Sequence, residues 1–204
     1  VEAETLLVAI GRVPNSDHLD AAAGGLETDE HGHVVTDGTG ATSVAGVWAI
    51  GDAANHMQLK NVANAEARAV RHNVLHPDAP ISMESPVVPS SVFADPQVAA
   101  VGATEQELRE QGTSYIVGRR NYSDTAYGWA MEDTKSFAKV LADPTSRLVL
   151  GAHIIGPQAS ILIQPLVQAM SLANTVDQLA HAVLYVHPAL SEVVEQVALD
   201  LDAP

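Results

Sequence analysis

The chain has 204 residues and no cysteine. This excludes disulfide bonds, thiolate metal sites and thiol redox chemistry within the chain itself. Basic residues are also scarce: 10 Lys and Arg stand against 25 Asp and Glu, for a net charge of −15. Such a charge disfavours binding to nucleic acid or to an anionic membrane. No apolar run approaches the roughly 18 residues of a membrane span, and no signal-peptide pattern is present. We expect a cytoplasmic protein that binds neither nucleic acid nor membrane.

Hydrophobic residues make up 47% of the chain, enough for one large or two small domains. Residues 5–10 (TLLVAI) form a nearly continuous apolar run, which predicts a strand covered on both faces in a parallel sheet. Such a strand needs neighbouring strands, and here it stands at the beginning of the chain. We therefore expect Val1 to be an internal residue of a longer protein.

A Gly-Asp corner divides two predicted elements near the middle of the first half. Residues 47–50 (VWAI) predict a short buried strand that ends at Gly51 and Asp52. A helix is predicted from Asn61 to about residue 75, and its N-terminus could hold an anion or a polarised carbonyl. A carboxylate at the end of a strand suits a ligand site. The corner is also compatible with an ordinary turn.

Residues 16–41 predict a small loop followed by a hairpin, whose turn is 29–32 (DEHG). His31 and His33, at and just after this turn, could form a metal pair. Because closed metal sites need four ligands and no third ligand is evident, we expect both side chains to be solvated and no metal to be bound.

Residues 76–86 contain three prolines and little periodicity, which predicts a domain boundary. From residue 87 onward the pattern predicts an α+β domain with an antiparallel sheet. Strands are predicted at 87–93, 98–101, 114–117, 137–141 and 148–155, and capping boxes at 104–107 and 175–178. An apolar helix is predicted at 161–167 with a kink at Pro165; either a partner subunit or the intrachain core could bury it.

Near the C-terminus, His187 precedes Pro188, which is expected at the first position of a helix. Glu192 follows at a distance that lets it reach the imidazole. A carboxylate on one ring nitrogen fixes the tautomer and leaves the other nitrogen for acid/base chemistry. The spacing alone is also typical of a structural histidine. A Ser/His/Asp site that uses Ser191 is disfavoured, because no nucleophile elbow is present.

Four segments, taken in order, resemble the C-terminal part of the two-dinucleotide-binding disulfide reductases, the class I pyridine nucleotide-disulfide oxidoreductases. They are residues 10–15 (IGRVPN), 42–52 (TSVAGVWAIGD), 92–105 (VFADPQVAAVGATE) and 187–192 (HPALSE). The resemblance implies that residues 1–15 end a nicotinamide-cofactor domain and that residues 16–80 are the C-terminal segment of an α/β FAD-binding domain. Residues 87–204 would then be an α+β dimerisation domain with an antiparallel sheet and helices.

The same resemblance implies a set of functional residues. FAD would be bound by Gly51, Asp52 and the helix start, namely Lys60, Asn61, Val62 and Ala63. Lys60 could favour the reduced, anionic flavin or could point to solvent. His187 and Glu192 would be the general acid/base pair, which each subunit of a homodimer contributes to its partner's cysteines. The cysteine pair, the first flavin-binding loop and the NAD(P)H-binding loop would lie upstream of Val1, so we expect this chain alone to be inactive.

Residues 122–133 (YSDTAYGWAMED) resemble mycothione reductase within this family. The implied function is transfer of electrons from NAD(P)H through FAD and a cysteine pair to a low-molecular-weight disulfide, mycothione. The alternatives are a dihydrolipoamide dehydrogenase, a mercuric reductase, a transhydrogenase that lacks the cysteine pair, and a free-standing dimerisation module without enzymatic activity. The choice between NADH and NADPH stays open.

Overall fold

The computed structural model describes residues 2–85 and 87–201. The chain divides into two compact units, Val1–Ser85 and Pro86–Pro204. Within the described residues, none of the helices has the length and apolar character needed to cross a membrane. Each unit is built around a different kind of scaffold, a single long helix in the first and an antiparallel sheet in the second.

The first unit is organised around one helix, α1 (Lys60–Leu75), which begins one residue before the predicted start. A short 3-10 helix, Gly51–Ala53, precedes it. The buried side chain of Asn73 donates to the carbonyls of Thr39 and Ile81 at 2.9 and 3.0 Å. The helix therefore fixes the loops on both sides of it by side-chain hydrogen bonds rather than by sheet pairing.

The strands predicted at 5–10 and 47–50 are not formed among the described residues of this unit. Leu6 and Ile10 are almost fully exposed, at 84% and 95%. Trp48 makes only an isolated antiparallel bridge with Ala41. The physical reason is that an apolar run becomes a strand only when neighbouring strands accept its backbone hydrogen bonds, and the described residues supply none beside 5–10.

The second unit contains a five-stranded, fully antiparallel sheet, as the sequence predicted. Its strands are β1 (Ser90–Val92), β2 (Val98–Gly102), β3 (Ile116–Asn121), β4 (Phe137–Ala142) and β5 (Val149–Ile155). The order across the sheet is β1-β2-β5-β4-β3. In the centre, Val140 pairs with Ala152 and Ala99 pairs with Ile154, and all four are buried.

Over the described residues 87–201, six α-helices accompany the sheet: α2 (Glu105–Glu110), α3 (Ala126–Ala130), α4 (Ala159–Leu162), α5 (Gln164–Ser171), α6 (Val176–His181) and α7 (Glu192–Asp200). The capping boxes predicted at Thr104 and Thr175 are confirmed, and they open α2 and α6. Helix α7 packs on β3 and β4. A side chain at Gly118 would collide with the backbone carbonyl of Val197, so this glycine allows the close approach that holds α7 in place.

The apolar helix predicted at 161–167 is two helices, because α4 ends at Leu162 and α5 begins at Gln164. Pro165 lies at the start of α5, where its missing N–H costs no hydrogen bond, so the disruption predicted there is a break between two helices at Ile163. Leu162, Ile163 and Leu166 are buried in the core of this unit. Burial of these three side chains therefore needs no partner subunit.

Candidate active site

His187 and Glu192 form a hydrogen-bonded pair at the beginning of α7. Nδ1 of His187 lies 2.8 Å from Oε1 of Glu192, and Oε2 of Glu192 accepts the backbone N–H of Ala189 at 3.1 Å. The contact predicted from the spacing is confirmed. Helix α7 begins at Glu192, so the predicted place of Pro188 in its first turn is wrong. The intervening residues form a tight loop that returns the imidazole to the helix start.

The environment of the pair keeps the carboxylate charged. The hydrogen bond from His187 holds the pKa of Glu192 below its ordinary value of 4.5, and the N–H of Ala189 acts in the same direction against the effect of burial. The Glu192 side chain is only 16% exposed, whereas that of His187 is 69% exposed. A charged acceptor at Nδ1 fixes the tautomer of His187 and leaves Nε2 to exchange a proton.

An open cavity of about 550 Å³ lies beside this pair. It is lined by residues 123–127, Trp129, Ala130, His187 and Pro188. The lining residues other than His187 and Pro188 belong to α3 or directly precede it. The α3 side chains Tyr127 and Trp129 are 42% and 76% exposed. This segment is the one that resembles mycothione reductase in sequence. The structure adds that it borders the same cavity as the candidate acid/base residue.

Buried hydrogen bonds hold the aromatic segment rigidly. Thr125 donates its hydroxyl to the carbonyl of Tyr122 at 2.9 Å and accepts the N–H of Gly128 at 3.2 Å. Tyr122 is fully buried and donates to the carbonyl of Pro157 at 3.2 Å, and burial raises the pKa of its phenol. A side chain at Gly128 would collide with the Tyr122 carbonyl. These contacts hold the backbone of α3, which carries the exposed rings of Tyr127 and Trp129.

The Gly-Asp corner of the first unit is fixed by a residue that sequence reasoning missed. Glu66 of α1 is buried, and its carboxylate accepts the N–H of Gly51 at 2.6 Å and the side-chain amide of Asn55 at 2.7 Å. Glu66 follows Val62 by four residues, so it lies on the buried face of α1. A carboxylate on the apolar face of a predicted helix is the signal that could have revealed it.

Gly51 lies directly against the start of α1. Its φ is +64°, and a Cβ added to it would be 3.2 Å from Cβ of Ala63. Lys60 and Asn61 are exposed, Val62 is buried, and no side chain caps this helix start. The structure thus brings the corner and the first turn of α1 together.

Asp52 is paired with a residue from another predicted motif. Its Oδ2 lies 3.0 Å from Nη1 of Arg12, and Nη2 of Arg12 donates to the carbonyl of Gln58 at 2.6 Å. Both side chains of the ion pair are about half exposed. Arg12 belongs to the segment 10–15, which resembles the family in sequence. Its contact with Asp52 was not predicted.

The two histidines of the hairpin differ from each other. His31 is exposed, as expected, but His33 is buried, so the expectation that both are solvated is wrong. Asp29 and His56 lie beside His33. Because His56 is 23 residues further along the chain, spacing within the hairpin could not indicate this cluster.

Comparison with known proteins connects both units to one family. Residues 88–198 match the pyridine nucleotide-disulphide oxidoreductase dimerisation domain, and residues 1–69 match the pyridine nucleotide-disulphide oxidoreductase domain. Mycothione reductase from Mycobacterium tuberculosis is 46% identical over 98% of this chain and 44% of its own length. Dihydrolipoyl dehydrogenase from Haloferax volcanii is 34% identical over 96% of this chain and 41% of its own length.

Solved structures agree with this assignment. The HOCl-induced flavoprotein disulfide reductase RclA from Escherichia coli superposes with a TM-score of 0.86 and 26% identity, covering 94% of this chain and 44% of that one. LpdA from Mycobacterium tuberculosis superposes with a TM-score of 0.85 and 26% identity, covering 95% of this chain and 42% of that one. The chain spans less than half the length of the relatives it matches. It belongs to the pyridine nucleotide-disulphide oxidoreductases, the class I flavoprotein disulfide reductases, and contains their dimerisation domain.

Proposed function

We propose that this chain is the C-terminal part of a homodimeric flavoprotein that uses NAD(P)H to reduce a low-molecular-weight disulfide, mycothione. The observation that carries the proposal is the His187–Glu192 pair beside a cavity that is also lined by residues 123–127, Trp129 and Ala130. The 46% identity to mycothione reductase, against 34% to the dihydrolipoyl dehydrogenases, favours mycothione as the substrate. Because the chain has no cysteine, the redox thiols come from outside it, and the chain alone is expected to be inactive.

The Gly51 corner fits the isoalloxazine and ribityl parts of FAD. A glycine without Cβ faces the uncapped start of α1, and the Asp52 carboxylate is accessible beside it. Asp52 would bind the ribityl hydroxyls, and the first turn of α1, at Lys60, Asn61, Val62 and Ala63, would direct the positive end of the helix dipole at the flavin ring. Bound FAD supplies two-electron transfer between the nicotinamide and a thiol pair. Glu66 positions this corner through Gly51 but does not line it.

The chemistry proposed for His187 is proton transfer to a leaving thiolate. A cysteine thiolate from outside this chain attacks one sulfur of the substrate disulfide, so that a new S–S bond forms and the old one breaks. The departing thiolate takes the proton from Nε2 of His187, which becomes neutral. Glu192 holds the imidazole by Nδ1 throughout and keeps Nε2 directed at the reacting sulfur.

The pair is proposed to act across a homodimer. The dimerisation-domain match over residues 88–198 supports this arrangement. Each subunit would place its His187 at the cysteine pair of its partner, so that only the dimer has complete sites. Tyr127 and Trp129 would then contact the part of the disulfide that extends away from the reacting sulfurs.

The test is a substrate comparison with the full-length protein that contains this chain. NAD(P)H oxidation is followed with mycothione, glutathione disulfide, lipoamide and mercuric ion as acceptors. We expect kcat/KM for mycothione to exceed each of the others by at least about tenfold, which corresponds to about 1.4 kcal/mol of transition-state discrimination. Preference for lipoamide or mercuric ion would contradict the proposed substrate, and failure to reduce any disulfide would contradict the proposed reaction.

A further inference from the structure

We propose that Asp29, His33 and His56 form a binding site for a divalent transition-metal cation of the Zn²⁺ type. The three residues each offer one ligand atom, and these atoms lie within 4.8 Å of one another. Two come from the hairpin turn and the third from the segment that follows the 3-10 helix Gly51–Ala53. The site is separate from the chemistry proposed for His187.

The distances within the cluster suit a metal ion. Oδ2 of Asp29 lies 3.3 Å from Nδ1 of His33 and 3.1 Å from Nε2 of His56. In a tetrahedral Zn²⁺ site with bonds of about 2.0–2.1 Å, neighbouring ligand atoms are roughly 3.3 Å apart. Two edges of such a tetrahedron are therefore already in place without movement of the backbone.

The carboxylate is oriented for this role by the turn itself. Oδ1 of Asp29 accepts the backbone N–H groups of His31 and His33 at 2.9 and 2.8 Å. These bonds fix the carboxylate plane and leave Oδ2 to the two imidazoles. Supporting hydrogen bonds of this kind are typical of built metal sites, where they hold a ligand in its binding orientation.

His33 is the buried member of the cluster. The residue is only 5% exposed, and its Nε2 is buried without a hydrogen-bond partner among the described residues. Its ring lies 4.0 Å from that of His56, centroid to centroid. Nδ1 is the nitrogen of this buried imidazole that faces Asp29, so it is the atom offered to the ion, and Nε2 takes no part in the site. Two converging imidazoles and one carboxylate are a combination that Zn²⁺ accepts readily.

The donor set also indicates which cations should bind. Imidazole suits Zn²⁺, Cu²⁺ and Ni²⁺, whereas Mg²⁺ and Ca²⁺ prefer oxygen ligands alone. His31 lies near His56, with ring centroids 5.5 Å apart, but its Nε2 faces Glu30 at 3.6 Å. We therefore count three protein ligands, with water at the fourth position.

The experiment titrates the whole 204-residue chain with Zn²⁺ by calorimetry and with Co²⁺ by visible absorption, which reports tetrahedral coordination. Two variants test the ligands. Asp29→Asn keeps Oδ1 for the two backbone N–H groups but removes the charged Oδ2, and His56→Ala removes a side chain that is 63% exposed. Each should weaken Zn²⁺ binding at least about tenfold.

His31→Ala and His18→Ala are the matched controls, since each removes an exposed histidine next to a carboxylate. Both should keep the wild-type affinity within about twofold. The proposal is overturned if Asp29→Asn and His56→Ala bind Zn²⁺ as the wild type does while their circular dichroism is unchanged. It is also overturned if His31→Ala weakens binding as much as His56→Ala, or if Mg²⁺ binds as tightly as Zn²⁺.

Discussion

Nδ1 of His187 lies 2.8 Å from Oε1 of Glu192, and this one contact joins a loop residue to the first residue of α7. The second carboxylate oxygen is held by the backbone of Ala189, so neither oxygen is free to rotate away. The pair is thus complete within six residues of sequence. Its geometry depends on α7, and α7 is held by its packing on the sheet.

The first prediction concerns the pH dependence of stability. Glu192 has a lowered pKa in the folded chain, so its contribution to stability is complete above the unfolded value and is lost as the pH falls through the folded value. Glu192→Gln should therefore reduce the free energy of unfolding more at about pH 5 than at about pH 3. Urea denaturation at both pH values measures this, with Glu195→Gln on the same helix as control. An equal loss at the two pH values would contradict the assignment.

The second prediction concerns Glu66. Its replacement by alanine leaves the buried N–H of Gly51 and the amide of Asn55 without their acceptor. We expect a loss of about 1–3 kcal/mol in the free energy of unfolding. Glu66→Gln keeps one acceptor oxygen and should cost less. Urea denaturation measures the free energy of unfolding of both variants. Equal losses for Glu66→Ala and Glu66→Gln would contradict the role of Glu66.

The third prediction concerns Gly51 of the Gly-Asp corner, where a side chain would add both backbone strain and a close contact with Ala63. Gly51 and Gly46 both have positive φ, +64° and +82°, but only at Gly51 would a Cβ meet another atom, Cβ of Ala63 at 3.2 Å. Alanine at either position costs roughly 1–2 kcal/mol of backbone strain. Gly51→Ala should cost more than Gly46→Ala in unfolding experiments, and only Gly51→Ala should weaken FAD binding by the full-length protein. Equal losses of FAD affinity in Gly51→Ala and Gly46→Ala would contradict the proposed place of Gly51 beside the flavin.

The fourth prediction concerns the aromatic wall of the cavity. Trp129 is 76% exposed, so Trp129→Ala should change stability by no more than about 0.5 kcal/mol. On the proposed function, the same variant of the full-length protein should raise KM for mycothione several-fold. Phe93, which is 77% exposed and is not among the residues that line the cavity, provides the matched control. A Phe93→Ala variant with the same rise in KM would argue against a role of Trp129 in substrate binding.

Features that depend on residues close together in the sequence could be predicted from the sequence. The capping boxes at Thr104 and Thr175 are local hydrogen-bond patterns, and both appear as predicted. The contact between His187 and Glu192 spans only five residues and was likewise accessible. The central strands β4 and β5 carry long apolar patterns, which is why their positions agree closely with the prediction.

Features that depend on distant partners could not be predicted. The run 5–10 has a strand-like pattern but meets no pairing strand in the described residues. The ion pair of Arg12 with Asp52 and the approach of His56 to Asp29 span 40 and 27 residues. Nothing in local spacing encodes such contacts, since each joins residues that are far apart in the sequence.

The central claim is that His187, oriented by Glu192, serves the disulfide and not the flavin. The most direct measurement is rapid-mixing kinetics of His187→Gln in the full-length protein, with the two half-reactions observed separately. We expect reduction of bound FAD by NAD(P)H to keep its rate, while the subsequent reduction of mycothione slows at least about a hundredfold, the usual contribution of a general acid. Slow flavin reduction with disulfide turnover intact would contradict the role assigned to His187.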